Sequence, residues 1–557
     1  MSLRDNNVAK LHSEKPFDVL IVGSGINGAA TAAALSSHGL TVAIIDKNDF
    51  GSYTSQQSSN LVWGGIKYLE SFEFALVEKL CRSRNHLLDS YPSLIQEIRF
   101  FTSIEKGFRH FQTTLYLGTI LYWVFGRFKT RMPRIFSRRA ISIEEPVIKT
   151  DRLVGGFEYS DAYIVDNDAR FTFNFVRKAL DYGAIAANYV AARAAHRDAA
   201  SGLWHVEAQD TRKGASFTIR AKVLINATGP YADEFSRLAG LSSDYNLVLS
   251  KGVHLLVRQL TPHKRVLTFF ADDGRLFFVI PMGARSCIGT TDTRVETHPP
   301  LTTAEDRRFI LDNINKRLKL DPPLTEADII AERCGVRPLV TKKSSRTAHN
   351  AEWTTLSRKH VVEINREQHY LSILGGKLTD CVNVGYELID AVRSLGLGTA
   401  RHDISWYGEA PDKLKDEFFL QARLGRLDEL TSPCSHEKLS LRLWRRYGLH
   451  AFDILEDIRQ DPAMAEVIIQ GTEYIRAELH HAAKWEMVTT LEDFLRRRSK
   501  IALIERTDTI LNAPGLAEAA QILFGARADD EIAAYREKHL PAADPAPEAP
   551  RRALAST

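Results

Sequence analysis

Three glycines, Gly23, Gly25 and Gly28, stand between an apolar run and an alanine-rich run in the segment Gly23-Ser-Gly-Ile-Asn-Gly28. Each has its own task in a turn that receives a dinucleotide pyrophosphate. Gly23 permits the tight bend, Gly25 lets the backbone approach the phosphates, and Gly28 lets a helix pack close to the strand before it. The N-terminus of that helix then offers N–H groups to the anion. Asp46 closes the next apolar run, Thr41-Val-Ala-Ile-Ile45, where a carboxylate can accept hydrogen bonds from the adenosine ribose. FAD and NAD share this fingerprint, so the residues beyond it must discriminate. Ser58 and Ser59, in Ser55-Gln-Gln-Ser-Ser-Asn60, are small enough to approach a pyrophosphate and a flavin edge. Gly64 and Gly65 allow a backbone to lie against a flat ring. Ala227 and Gly229, in Asn226-Ala-Thr-Gly-Pro230, offer a further close approach. A simple NAD domain needs none of these additions, and a flavin is expected.

These residues need elements to hold them. Asp18-Val-Leu-Ile-Val22 is a short β-branched run of the kind that forms a buried parallel strand. Residues 29–37 read as a helix that Gly39 ends, and residues 41–45 as a second strand, which completes a βαβ unit. Further strands at 188–192 and 221–227 make the nucleotide domain discontinuous. Residues 248–293 carry alternating patterns, such as Lys251-Gly-Val-His-Leu-Leu-Val257, that suit an antiparallel sheet. Beyond about residue 400 the pattern turns helical, with helices expected over 439–447, 451–460 and 491–505. A chain of 557 residues exceeds one core. The expected architecture is α/β. A discontinuous Rossmann-like FAD-binding domain takes 17–74, 152–242 and 346–400. An antiparallel-sheet substrate or cap domain takes 75–151 and 243–345. A C-terminal helical domain follows over 401–535, then a disordered Pro- and Ala-rich tail over 536–557.

Composition removes several alternatives. A net charge of +4 over this length gives no reason to expect nucleic acid as a partner. The cysteines Cys81, Cys287, Cys334, Cys381 and Cys434 are dispersed and form no C-x-x-C, so neither a disulfide framework nor a metal site is expected. Residues 1–16 are polar and lack the pattern of a signal peptide, and no apolar run reaches membrane-spanning length. The apolar, aromatic run 115–125 is followed by Arg127, Lys129, Arg131, Arg134, Arg138 and Arg139. Residues 115–139 read equally as an interfacial anchor on anionic lipid and as a core helix with a solvated basic turn.

The run G-x-G-I-N-G-A followed by T-S-x-x-S-S-x-L-x-x-G-G-x-x-Y-L-E resembles the membrane-associated, FAD-dependent glycerol-3-phosphate dehydrogenases, flavoproteins of D-amino-acid-oxidase-like fold. Matches continue in order through Gly156-Phe-Glu-Tyr-Ser-Asp161, Ile288-Gly-Thr-Thr-Asp292 and the C-terminal Leu491-Glu-Asp-Phe-Leu-Arg-Arg-Arg498. The resemblance implies oxidation of sn-glycerol 3-phosphate to dihydroxyacetone phosphate, with FAD as cofactor and a membrane quinone as electron acceptor. It implies a cytoplasmic protein, peripheral on the inner face of the cell membrane, with a homodimer as the candidate assembly.

It also implies a site. His254, Arg337 and Lys377 stand at the reacting substrate, in Lys251-Gly-x-His254, Gly335-Val-Arg-Pro-Leu339 and Gly375-Gly-Lys-Leu-Thr379. Lys67, Tyr68 and Arg358 add substrate contacts. Val190, Gly376, Lys377, Leu378 and Thr379 join the cofactor set. Arg337 could take a phosphate bidentately, extended by the proline after it. His254 has the reference pKa of a base near neutral pH. A helix over 382–395 could turn its N-terminus to the flavin carbonyl. Two departures stand out. Lys67 occupies a position where the family has arginine, and Asp380-Cys381-Val382 stands where it continues with threonine, tyrosine and arginine. A related polyol phosphate as substrate, an oxidase using oxygen, and a flavin-binding protein without turnover stay open.

Overall fold

The computed structural model describes residues 2–296, 298–343, 359–398 and 405–540. Its first sheet forms where buried β-branched residues are densest. Phe17–Val22 pairs in parallel with Val42–Ile45 on one side and with Ser216–Asn226 on the other. Tyr370–Leu374 and Ile185–Ala187 extend the sheet in parallel at its two sides. Val361–Asn365 adds an antiparallel edge, and the antiparallel strands Val190–Arg197 and Trp204–Asp210 lead into Ser216–Asn226. The helices Ile26–Ser37, Asp168–Asp181 and Cys381–Ser394 share one core with the central strands. Ala29, Ala30, Ala32, Ala33 and Ala34 are all fully buried. Their small side chains let the first helix sit close to its neighbours.

The second sheet is mostly antiparallel, and one strand pair in it positions the chemistry. Tyr245–Arg258 runs against Ala331–Lys342, with Ser250 opposite Arg337, Gly252 opposite Gly335 and His254 opposite Arg333. Alternation puts Ser250, Gly252 and His254 on one face, beside Arg333, Gly335 and Arg337. Val253, Leu255 and Val257 point the other way, into an apolar core shared with the helix Ala304–Arg317.

The structure corrects several boundaries. Leu61–Val62 and Leu153–Ile164 belong to the second sheet, although the sequence division places them in the nucleotide domain. Leu153–Ile164 pairs antiparallel with Ile95–Glu105 along nearly its whole length, and those backbone bonds decide its sheet. The strand expected at 188–192 starts at Val190, because Tyr189 adopts a left-handed φ of 56°. The helix expected over 491–505 is two pieces, a π-helical turn Asp493–Arg498 and the short helix Ile501–Ile504. Ser499 is extended between them, and its hydroxyl donates to the carbonyls of Phe494 and Leu495. Residues 536–539 are not a tail, for they end the helix Ala528–His539. Residues 541–557 lie outside the described residues.

Candidate flavin and substrate site

The glycine turn forms as its residue types require. Gly23 sits at φ 101°, and a Cβ there would lie 2.5 Å from the Ala227 carbonyl oxygen. A Cβ on Gly28 would collide with the Gly23 carbonyl, so helix and strand pack as closely as the fingerprint demands. Gly25 is the N-cap of Ile26–Ser37. Ser55 seats its loop on that helix end by accepting from the Ile26 N–H at 2.9 Å. Asp46 ends its strand buried, with one oxygen accepting from the Ser24 N–H and hydroxyl at 2.8 Å each and the other from the Asn48 N–H at 3.0 Å. Burial pushes its carboxyl pKa up against these bonds.

A cleft of about 250 Å³ opens between these pieces. Gly23, Gly25, Asp46, Ser58, Ala227, Gly229, Gly376, Lys377 and Leu378 line it. Val190 stands behind, donating its N–H to the Asp46 carbonyl at 2.8 Å. Ser59, Gly64, Gly65 and Thr379 do not line it. Gly64 instead packs where a Cβ would strike the Tyr122 hydroxyl, and its N–H donates to Asp161 at 3.1 Å. The cleft suits a dinucleotide: a glycine-walled helix N-terminus, a buried carboxylate at the strand end, and the Asn27 side-chain oxygen, which is buried without a hydrogen-bond partner among the described residues.

The residues expected at the substrate adjoin this cleft. Thr54 donates its hydroxyl to the Val336 carbonyl at 3.0 Å, and Pro338 lines the cleft one residue beyond Arg337. The Arg337 guanidinium lies over Gly252, where a Cβ would stand 2.7 Å from its central carbon. Its nitrogens reach the Thr290 hydroxyl at 3.3 Å and Asp292 at 3.4 Å. His254 is buried, and its Nδ1 has no hydrogen-bond partner among the described residues. Burial, then the charges of Arg337 and Arg333, lower its pKa to about 3, so it is a neutral imidazole at ordinary pH. Lys377 stands with its ammonium 4.3 Å from the Tyr68 ring centre, which joins two expected substrate segments. Lys67, beside Tyr68, is exposed. Arg358 lies outside the described residues.

Comparison with known proteins decides the family. Residues 18–356 match the family described as FAD dependent oxidoreductase, and residues 417–530 match the C-terminal domain of alpha-glycerophosphate oxidase. A Mycobacterium bovis protein named glycerol-3-phosphate dehydrogenase 2 is 30% identical, covering 93% of this chain and 87% of its own. An aerobic glycerol-3-phosphate dehydrogenase of Staphylococcus epidermidis is 30% identical, with 89% of each covered. This chain belongs to the FAD-dependent glycerol-3-phosphate dehydrogenase family. In fold it is similar to the glycerol-3-phosphate dehydrogenase from Bacillus halodurans complexed with FAD, with a TM-score of 0.69, 23% identity and 96% of both chains covered.

Family membership makes FAD the cofactor. It also directs attention to residues that pattern reading missed. The departure at Asp380 is compensated: its carboxylate meets His360 Nδ1 at 2.9 Å and Lys79 Nζ at 3.6 Å. Burial opposes a charged His360, but its hydrogen bonds to the Asp380 and Glu387 carboxylates push its pKa up to about 9. No spacing in the sequence links Lys79, His360 and Asp380. Arg333 does carry a signal, since it alternates with Gly335 and Arg337 along one strand face.

Proposed function

We propose that this flavoprotein oxidises sn-glycerol 3-phosphate to dihydroxyacetone phosphate and passes the electrons to a membrane quinone. One observation carries the substrate reading: Arg337 stands on the same sheet face as a buried, neutral His254, at the rim of the nucleotide cleft. Arg337 supplies a forked donor for the phosphate, and Lys377 and Lys67 add positive charge. FAD, when bound, supplies the two-electron acceptor for the hydrogen leaving the secondary alcohol carbon. His254 takes the hydroxyl proton on its open nitrogen. A phosphate dianion beside Arg337 offsets the charge that depresses His254 and raises its basicity as the substrate arrives.

The surface supports quinone over oxygen. The helix Gln112–Phe125 buries Thr119 and Tyr122 but turns Leu117, Leu121 and Val124 outward. Phe111, Phe72 and Phe128 extend this apolar face, 82%, 76% and 58% exposed. Phe72 lies just beyond the turn that carries Lys67 and Tyr68. Among the described residues no helix is long and apolar enough to cross a membrane, so this face would lie on the surface of a bilayer. Tyr122 does not insert into lipid: it is 1% exposed and donates to Asp161 at 2.7 Å. The basic cluster is also weaker than its sequence suggests. Arg131 pairs with Glu97 at 3.2 Å, Arg134 with Glu144 at 2.9 Å, Arg138 with Asp151 at 3.8 Å, and Lys129 with Asp89. The test is turnover of sn-glycerol 3-phosphate with a short-chain quinone, in the presence and absence of oxygen. One dihydroxyacetone phosphate per quinol supports the proposal; equal turnover with peroxide and no quinone assigns an oxidase.

A further inference from the structure

The run Arg496-Arg497-Arg498 grips the nucleotide domain with three unlike hands. Arg497 Nε meets Asp49 at 2.6 Å, and Arg498 meets both oxygens of Asp49 at 2.7 and 2.8 Å. Those two guanidiniums are paired. Arg496 is not: among the described residues no carboxylate lies within ion-pair distance of it. It donates to the Gln56 carbonyl at 3.3 Å and the Gln57 side-chain oxygen at 3.0 Å, on the loop whose Ser55 and Ser58 line the cleft. Arg333 reaches the same loop from the second sheet, donating to the Ser58 carbonyl and to Asn60 at 2.8 Å. Its carboxylate partner, Asp168 at 3.3 Å, also accepts from the Ser58 N–H at 2.8 Å.

Two guanidiniums, 0% and 8% exposed, thus stand behind one loop with one carboxylate in contact. Nε and Nη2 of Arg333 and Nη1 of Arg496 meet no acceptor among the described residues. Burial and the neighbouring Arg333 bring Arg496 down to about 9, against the attraction of Asp168 and Glu492. Uncompensated charge in a poorly solvated region costs stability unless something anionic repays it. Adding a hydride, two electrons with one proton, to a neutral flavin produces such an anion.

We propose that Arg333 and Arg496 are positioning residues of the flavin site, which hold the loop at 56–58 from behind and whose charge favours the anionic reduced flavin over the oxidised form. This rests on assigning the cleft at Gly23, Gly25 and Ser58 to FAD. Arg496 comes from the C-terminal helical region, so that region takes part in setting the redox balance. The substitution that isolates the effect is Arg496→Gln, which removes charge yet keeps an amide to meet Gln56.

The experiment measures the midpoint potential of bound FAD in wild type, Arg496→Gln, Arg496→Lys and Asp168→Asn holoproteins, with FAD content recorded for each and for Gly25→Val. Arg496→Gln should weaken reduced relative to oxidised flavin about tenfold, a negative shift of about 30 mV for a two-electron couple. Arg496→Lys should restore most of it. Asp168→Asn, which removes the counter-charge but keeps an acceptor, should shift the potential the other way. Unchanged potentials in Arg496→Gln and Asp168→Asn overturn the proposal. Should Arg496→Gln lose its flavin, the sign of the Asp168→Asn shift decides. Full FAD content in Gly25→Val would instead show that the cleft was misassigned, a separate failure.

Discussion

Buried ionisable groups are treated in opposite ways in two regions of this molecule. Where the C-terminal helices dock on the nucleotide domain, cations other than Arg496 meet anions: Arg497 and Arg498 share Asp49, Arg170 meets Glu486 at 2.6 Å, and Arg445 meets Asp166 at 2.8 Å. At the proposed substrate face a buried imidazole keeps an open position. Arg337 meets Asp292 at 3.4 Å, and His254 Nδ1 has no hydrogen-bond partner among the described residues. Paired burial fixes the domains to one another, whereas unpaired burial is tolerated where a ligand will supply the missing partner. The difference separates residues that hold the fold from residues that use it.

The largest effect should come from breaking the paired region. Asp49→Ala leaves two buried guanidiniums without their shared anion and should cost about 3–5 kcal/mol of stability, read from urea unfolding. Next, Arg337→Ala should lower kcat/KM for sn-glycerol 3-phosphate by about 2–5 kcal/mol of transition-state stabilisation while FAD content and unfolding stay near wild type. If Arg337→Ala destabilises the fold as much as Asp49→Ala does, the contrast between the regions collapses.

A pH series sharpens the contrast. His360 is raised to about 9 in the folded protein by Asp380 and Glu387, so its stabilising contribution is fully present below pH 6.5 and is lost as pH rises through about 9. His254 is depressed to about 3, so the unfolded chain takes up its proton first, and stability falls as pH drops from 6.5 towards 3. The urea midpoint should therefore decline on both sides, with His360→Gln flattening the alkaline side and His254→Asn easing the acid side. Identical profiles in all three proteins would remove both assignments.

The smallest effects belong to the proposed membrane face. Leu117→Ser with Leu121→Ser should weaken co-sedimentation with neutral and anionic vesicles alike, because the lost term is apolar burial. Replacing Arg131, Arg134 and Arg138 by glutamine should matter less, and mainly with anionic vesicles at low salt, since each already faces a carboxylate. A larger loss from the arginine variant than from the leucine variant would reverse this ranking.

The nucleotide half was legible in the sequence for a local reason. Gly23, Gly25, Gly28 and Asp46 are bound by one turn and two short strands, so spacing alone conveys their geometry. The helices Leu439–Tyr447 and Ala451–Gln460 were legible through periodicity. Long-range pairing was not. Leu153–Ile164 looks like any apolar run until its partner Ile95–Glu105 assigns its sheet, and Tyr122 looks lipid-facing until Asp161 claims its hydroxyl. The 491–505 segment has helical periodicity, but its three consecutive buried arginines, Arg496 on Gln56 and Arg497 and Arg498 on Asp49, sit in a π-helical turn. The approach of Arg496 to Gln56 spans 440 residues, beyond any local pattern.

The central claim is that Arg337 and His254 present a polyol phosphate to bound FAD. Its most direct test is an anaerobic titration of the yellow holoprotein with sn-glycerol 3-phosphate, followed by visible absorption. The account predicts that the flavin band bleaches in proportion to substrate, that dihydroxyacetone phosphate forms in equal amount, and that unphosphorylated glycerol leaves the band intact over the same range. A flavin band unchanged by saturating sn-glycerol 3-phosphate, in protein carrying its full complement of FAD, would contradict it.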